Sequence, residues 1–233
     1  MSGIGVLREG PLHAAVKDLL ASPGDRAEVK FGRFVIDLVR ADGELVEVQT
    51  GGFSPLGPKL DALLDDHRMR IVHPVAARRR IVRVDAHGEV LSSRRSPLRG
   101  GVLDVFDRLV SFPSLLAHPN LTVEVLLCAE DHIRAPEAGR SRSGRRRRDP
   151  GERRLVEVVG SEVLSSPSDA AALLPPALVA AGAFTTRELS AALGCRMVLA
   201  QRVAYCLRGM EVLVDAGKRG RAPLHALART ALA

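Results

Sequence analysis

The chain has 233 residues, enough for one large domain or two modest ones, and its 46% hydrophobic content excludes a disordered chain. Aromatic residues are only 3% and Trp is absent, which argues against a base-stacking surface built from aromatic side chains. The net charge of +7 is uneven: nine Arg against three acids give residues 134–154 a balance of +6, residues 155–233 carry +2, and the first 133 carry −1.

Pro11 to about Ala21 reads as a helix, with Pro in the first position and an apolar stripe of Leu12, Ala15, Val16, Leu19 and Leu20. RFVIDLV (33–39) and ELVEVQT (44–50) read as strands around a turn. A short helix is expected from Pro58 to Asp66, with Leu60, Leu63 and Leu64 inward. RMRIVHPVA (68–76) and RRRIVRVD (78–85) read as two further strands, the second followed by the turn AHGE. A helix over 101–111 and a strand over 121–129 complete a unit spanning residues 1–133, whose element order predicts an α/β fold with a mixed sheet. Residues 134–154, rich in Arg, Gly, Ser and Pro, read as a flexible linker. A basic segment favours a polyanionic partner such as nucleic acid, although only four of the 34 basic residues are Lys, a bias that GC-rich coding also produces. LVEVVGSEVL (155–164) and the connector to 174 either return to the first unit or open the second, and residues 175–233 form a small, mostly helical unit.

The three cysteines, 128, 195 and 206, show no CxxC spacing, which argues against a zinc site or disulfide framework and for a reducing cytosol. No signal-peptide pattern opens the chain, and its longest apolar stretch is broken by Pro175-Pro176. The expectation is a cytoplasmic protein with no membrane partner.

The hairpin DLVRADGELVEVQTG (37–51) sets acids among valines and leucines. Alternation puts Glu47 and Gln49 on one face. If Asp42-Gly43 is a two-residue loop, Asp37 faces away from Glu47. If Ala41-Asp42-Gly43 is a three-residue loop with Gly43 in the left-handed position, Asp37 falls opposite Glu47. Facing carboxylates in a partly buried site repel unless a cation joins them, and Mg²⁺ takes such oxygen ligands. The plain alternative is a solvated strand face.

Asp37, then Glu47-Val48-Gln49, after a helix opened by Glu9, resembles the PD-(D/E)XK nuclease superfamily. The run IGVLREGPLHAAVKDLL, FVIDLV, LVEVQTG, KLDALL and HRMRIVHPVA resembles more closely a bacterial family of uncharacterised members placed within it, over roughly residues 3–85. The resemblance implies a restriction-endonuclease-like mixed sheet flanked by helices, with Asp37 and Glu47 as ligands of Mg²⁺ (or Mn²⁺) and Glu9 as an additional helix acid. Gln49 stands where the superfamily has Lys. Lys59, on the helix after the hairpin, is then the candidate catalytic lysine, with Lys17 behind it. His73 reads as structural or phosphate-adjacent, and His13 as a helix surface residue.

In the C-terminal unit Thr185 and Glu188 have capping-box spacing, Gly194 makes a turn, and a second helix precedes EVLVDAG, the basic turn KRGR and APLHAL. This order resembles a winged helix-turn-helix domain over roughly 175–229. That resemblance implies groove contacts from Arg196, Gln201, Arg202 and Arg208, and phosphate contacts from Lys218, Arg219 and Arg221. The function expected is a Mg²⁺-dependent DNA endonuclease acting on duplex or structured DNA, as a homodimer if it cuts two strands. Gln49 keeps open an alternative: a catalytically inactive nuclease-fold protein that binds DNA or regulates.

Overall fold

The computed structural model describes residues 10–135 and 151–228. Glu9 and most of the Arg-rich segment lie outside the described residues.

Helix α1 (Pro11–Leu20) starts with Pro at its first position. Strands β1 (Arg26–Phe31), β2 (Phe34–Val39) and β3 (Leu45–Val48) follow as an antiparallel meander. Helix α2 (Gly57–Leu63) leads to β4 (Met69–Val84), β5 (Val90–Arg95), the short helix α3 (Phe106–Leu109), β6 (Leu121–Arg134) and β7 (Glu152–Leu164). Together these strands form a seven-stranded sheet of order β1-β2-β3-β4-β6-β7, with β5 also paired to β4. β3, β4 and β6 run parallel and the other pairs antiparallel, so the first unit is α/β with a large mixed sheet.

The two strands expected over 68–85 are one. β4 pairs with β6 almost throughout, and a single bulge between Ala76 and Arg78 marks the break in apolar pattern. Its first half is buried on both sides, as in the centre of a parallel sheet, and its second half alternates. β3 covers residues 69–72 on one flank of β4 and β5 covers 80–84. Between them residues 73–79 have no strand partner on that flank.

The linker expected over 134–154 does not join two domains. Arg134 ends β6 and Glu152–Arg154 begin β7, its antiparallel neighbour, so the segment connects two strands of one sheet. Residues 155–164 therefore return to the first unit.

Helix α1 covers one face of the sheet, packing Leu12 and Val16 on Leu38, Val46, Val48, Val72 and Leu126. The other face carries α2, α3 and the C-terminal unit over one continuous core, in which Phe106 and Leu109 share a cluster with Ala200, Val203 and Leu207. Each buried aliphatic side chain contributes about 1.5–3 kcal/mol.

After α4 (Pro167–Ala172), the C-terminal unit comprises α5 (Pro176–Ala180), β8 (Ala183–Thr185), α6 (Thr186–Ala192), α7 (Met197–Gly209), β9 (Leu213–Arg219) and β10 (Ala222–Leu227). Its strands form a three-stranded sheet of order β8-β10-β9. Thr185 and Glu188 cap α6 reciprocally, as their spacing predicts, and Gly194 turns the chain into α7 at a φ of 60°. No helix among the described residues is long and apolar enough to cross a membrane.

Candidate active site

The site sits where β2 and β3 part. The ladder pairs Val39 with Leu45 and Leu38 with Val46. Across the turn Arg40 N–H donates to Glu44 O at 2.9 Å, and Gly43 has a φ of 87°. The connection is thus the three-residue loop, and its register sets Asp37 opposite Glu47. There the ladder stops. Asp37 Oδ2 accepts the Val48 N–H at 2.8 Å, so the carboxylate fills the place a strand carbonyl would take.

Glu47 is 5% exposed. Lys59 reaches it from α2, its Nζ lying 2.5 Å from Glu47 Oε1 and donating to Val35 O at 2.7 Å. On the far side, His13 of α1 brings Nε2 to 3.3 Å from Asp37 Oδ2. The expectation that His13 is only a helix surface residue is therefore corrected: one turn before Val16, it lies where α1 turns toward the sheet.

The two carboxyls are pushed in opposite directions. Burial raises Glu47 to about 7, the Asp37 charge adds to that, and Lys59 opposes it. Burial also acts to raise Asp37, but hydrogen bonds from His13 and Val48, with the charges of His13 and Lys59, outweigh it and hold the group below its ordinary value. A pair split this way holds one firm anion and one carboxyl poised near neutrality.

Gln49 directly follows β3 and does not join the cluster's bonding. Its Nε2 donates to Gly52 O at 2.5 Å, back onto the following loop. Its carbonyl accepts from His73 Nδ1 at 2.6 Å, and His73, 4% exposed, packs edge-on to Phe53. Burial, with the charges of Arg108 and Arg153, drives His73 down to about 4, so it is neutral at physiological pH and acts structurally. Lys17 pairs with Glu28 of β1 at 2.8 Å.

The two carboxylates supply oxygen ligands that fit a hard divalent ion, which takes one or two carboxylates and keeps several waters, while the His13 imidazole stands beside Asp37. Among the described residues no group of three or more His, Cys, Asp or Glu side chains is placed to hold a metal.

The residues expected to meet DNA divide. Gln201 and Arg208 stand exposed on α7, and Lys218 and Arg221 are exposed beside the β9–β10 turn. Arg202 instead turns to α3, with Nη1 2.7 Å from Asp107 Oδ1, and Arg196 lies 3.9 Å from the same carboxylate. Arg219 binds back to Glu188 at 2.5 Å and to Ala183 O at 3.2 Å. Arg202 thus ties the C-terminal unit to α3, and Arg219 braces that unit internally.

Residues 10–165 match the family described as "Domain of unknown function (DUF8091)", and the chain belongs to that family. The matched segment ends one residue after β7, so it coincides with the large sheet and its helices. An "Uncharacterized protein" of Treponema pallidum (strain Nichols) is 34% identical over 160 residues, 68% of this chain and 63% of that protein. The chain thus spans less than two thirds of that relative's length. No solved structure matches.

Proposed function

We propose that the chain is a Mg²⁺- or Mn²⁺-dependent nuclease of the PD-(D/E)XK type, cytoplasmic, hydrolysing phosphodiester bonds of DNA. The observation that carries this reading is the meeting of Asp37, Glu47 and Lys59 at the parting of β2 and β3. Lys59 supplies from α2 the positive charge that Gln49 lacks.

Asp37 and Glu47 would hold the ion. Bound there, it supplies polarisation of a phosphoryl oxygen and acidification of water. The chain's own side chains do the rest. His13 and the Val48 amide fix the Asp37 carboxylate in one orientation. An ion neutralising Glu47 would free the Lys59 ammonium, still anchored on Val35 O, to stabilise negative charge developing on the phosphate. The C-terminal unit reads as a winged helix: its strand order and capped α6 support this, and exposed Gln201, Arg208, Lys218 and Arg221 would contribute to substrate binding.

The test is cleavage of plasmid and branched DNA with Mg²⁺ or Mn²⁺ by pure, folded protein. Wild type should cut and Glu47→Ala should not; equal behaviour of the two sinks the reading. The amide of Gln49, engaged with Gly52 O, favours a second reading, in which the nuclease fold binds DNA without cutting it. That reading expects metal-independent DNA binding and no products.

A further inference from the structure

The uncovered flank of β4 opens onto two adjoining clefts of about 260 Å³ and 410 Å³, which share Arg79 and Arg99. Eight arginines and five carboxylates line them: Glu130 is buried, Asp107 belongs to the cleft nearer the C-terminal unit, Glu157 and Asp131 are already engaged by Arg78 and Arg80, and Asp104 caps the turn before α3. The arginines therefore exceed the acids by three.

The floor of the trough is one carboxylate shared by two cations. Glu130, its side chain 0% exposed, holds Arg79 at 2.6 Å and Arg153 at 2.7 Å. Three further arginines have no acidic partner among the described residues: Arg95, Arg99 and Arg108. Arg95 stands directly opposite Arg80 across β4 and β5; Asp131 neutralises Arg80 and leaves the Arg95 guanidinium without an acid of its own. Arg108 buries its Nε with no hydrogen-bond partner. Arg99 lies on the loop whose Gly100 N–H donates to Ala76 O at 2.8 Å, which fixes that loop against the uncovered flank. The trough also reaches the candidate active site. Thr50 lines it and its backbone carbonyl accepts from Arg153 Nη1 at 3.4 Å, and Thr50 lies three positions after Glu47, at most roughly 10 Å of chain.

We infer that this trough is a binding site for the phosphodiester backbone of a nucleic acid, with Arg95, Arg99 and Arg108 contacting phosphates. Guanidinium groups pair with phosphate oxygens in a bidentate fork. The inference rests on the nucleic-acid reading above, because an arginine trough alone also suits an acidic protein.

The experiment measures binding of fluorescein-labelled duplex and single-stranded DNA by anisotropy, in EDTA so that nothing is cut, across a salt series. The variants are Arg95→Gln/Arg99→Gln/Arg108→Gln and the matching triple Lys substitution, each checked for folding by circular dichroism. Each lost phosphate contact flattens the log–log salt slope by about 0.7–0.9. The Gln triple should therefore lose about two units of slope and at least tenfold in affinity at about 0.1 M salt, while the Lys triple keeps most of both. Wild-type binding with an unchanged slope in the Gln triple overturns the trough and leaves the nuclease reading standing. Binding lost as expected, in a protein that never cuts with Mg²⁺, keeps the trough and removes the nuclease. A wild type that binds polyglutamate but no nucleic acid overturns the proposal.

Discussion

At the scale of single residues, Glu47 is a carboxyl whose burial disfavours its anionic form. A carboxyl raised to about 7 from its ordinary 4.5 holds its proton more tightly in the folded state. Stability fully present below the unfolded value is therefore lost as pH climbs through about 7. Glu47→Gln should flatten that decline, by roughly 1–3 kcal/mol between pH 4.5 and 8, in urea melts at a series of pH values. Asp37 acts in the opposite sense, since its lowered pKa contributes stability that is lost as pH falls through the acid range. If the pair holds a divalent ion, saturating Mn²⁺ at pH 8 should raise the melting temperature of wild type by several degrees and leave Asp37→Asn/Glu47→Gln unmoved. A matching rise in both proteins would place the ion elsewhere.

At the scale of elements, the turn after β2 decides whether the acids meet. Gly43 has open space around its missing Cβ, so a substitution there is opposed only by its φ of 87°. Gly43→Ala should cost about 1–2 kcal/mol in denaturant unfolding, and Gly43→Asn less. Equal stability of all three proteins would mean the turn can change form. Both turn forms were open in the sequence, because Asp42-Gly43 suits either; only the register of Leu38 with Val46 decides between them. β5 was not legible, because VLSSRR has no alternation and all six of its residues are exposed, whereas β1 does carry a strand's period: RAEVKF alternates polar residues with Ala27, Val29 and Phe31, though it is short and mostly exposed. His13 was equally hidden, since its partner Asp37 comes from an element 24 residues away in sequence.

At the scale of the whole molecule, the α/β class, α1, the hairpin and the capped α6 could be read from periodicity and capping chemistry. The placement of β7 could not, because pairing with β6 is a long-range choice that no local pattern records. One core runs from the sheet into the C-terminal unit through Phe106 and Leu109. Phe106→Ala should therefore destabilise by about 3–5 kcal/mol, and wild type should melt in one calorimetric transition. Two separate transitions, with only one shifted by the substitution, would show that the units fold independently. The central claim is that Lys59 does the work expected of a lysine at position 49. It is tested most directly by single-turnover cleavage of labelled DNA in Mg²⁺ by wild type and Lys59→Ala. The account predicts a rate about 10²–10³-fold lower in the variant with DNA binding unchanged. Equal rates in the two proteins would contradict it.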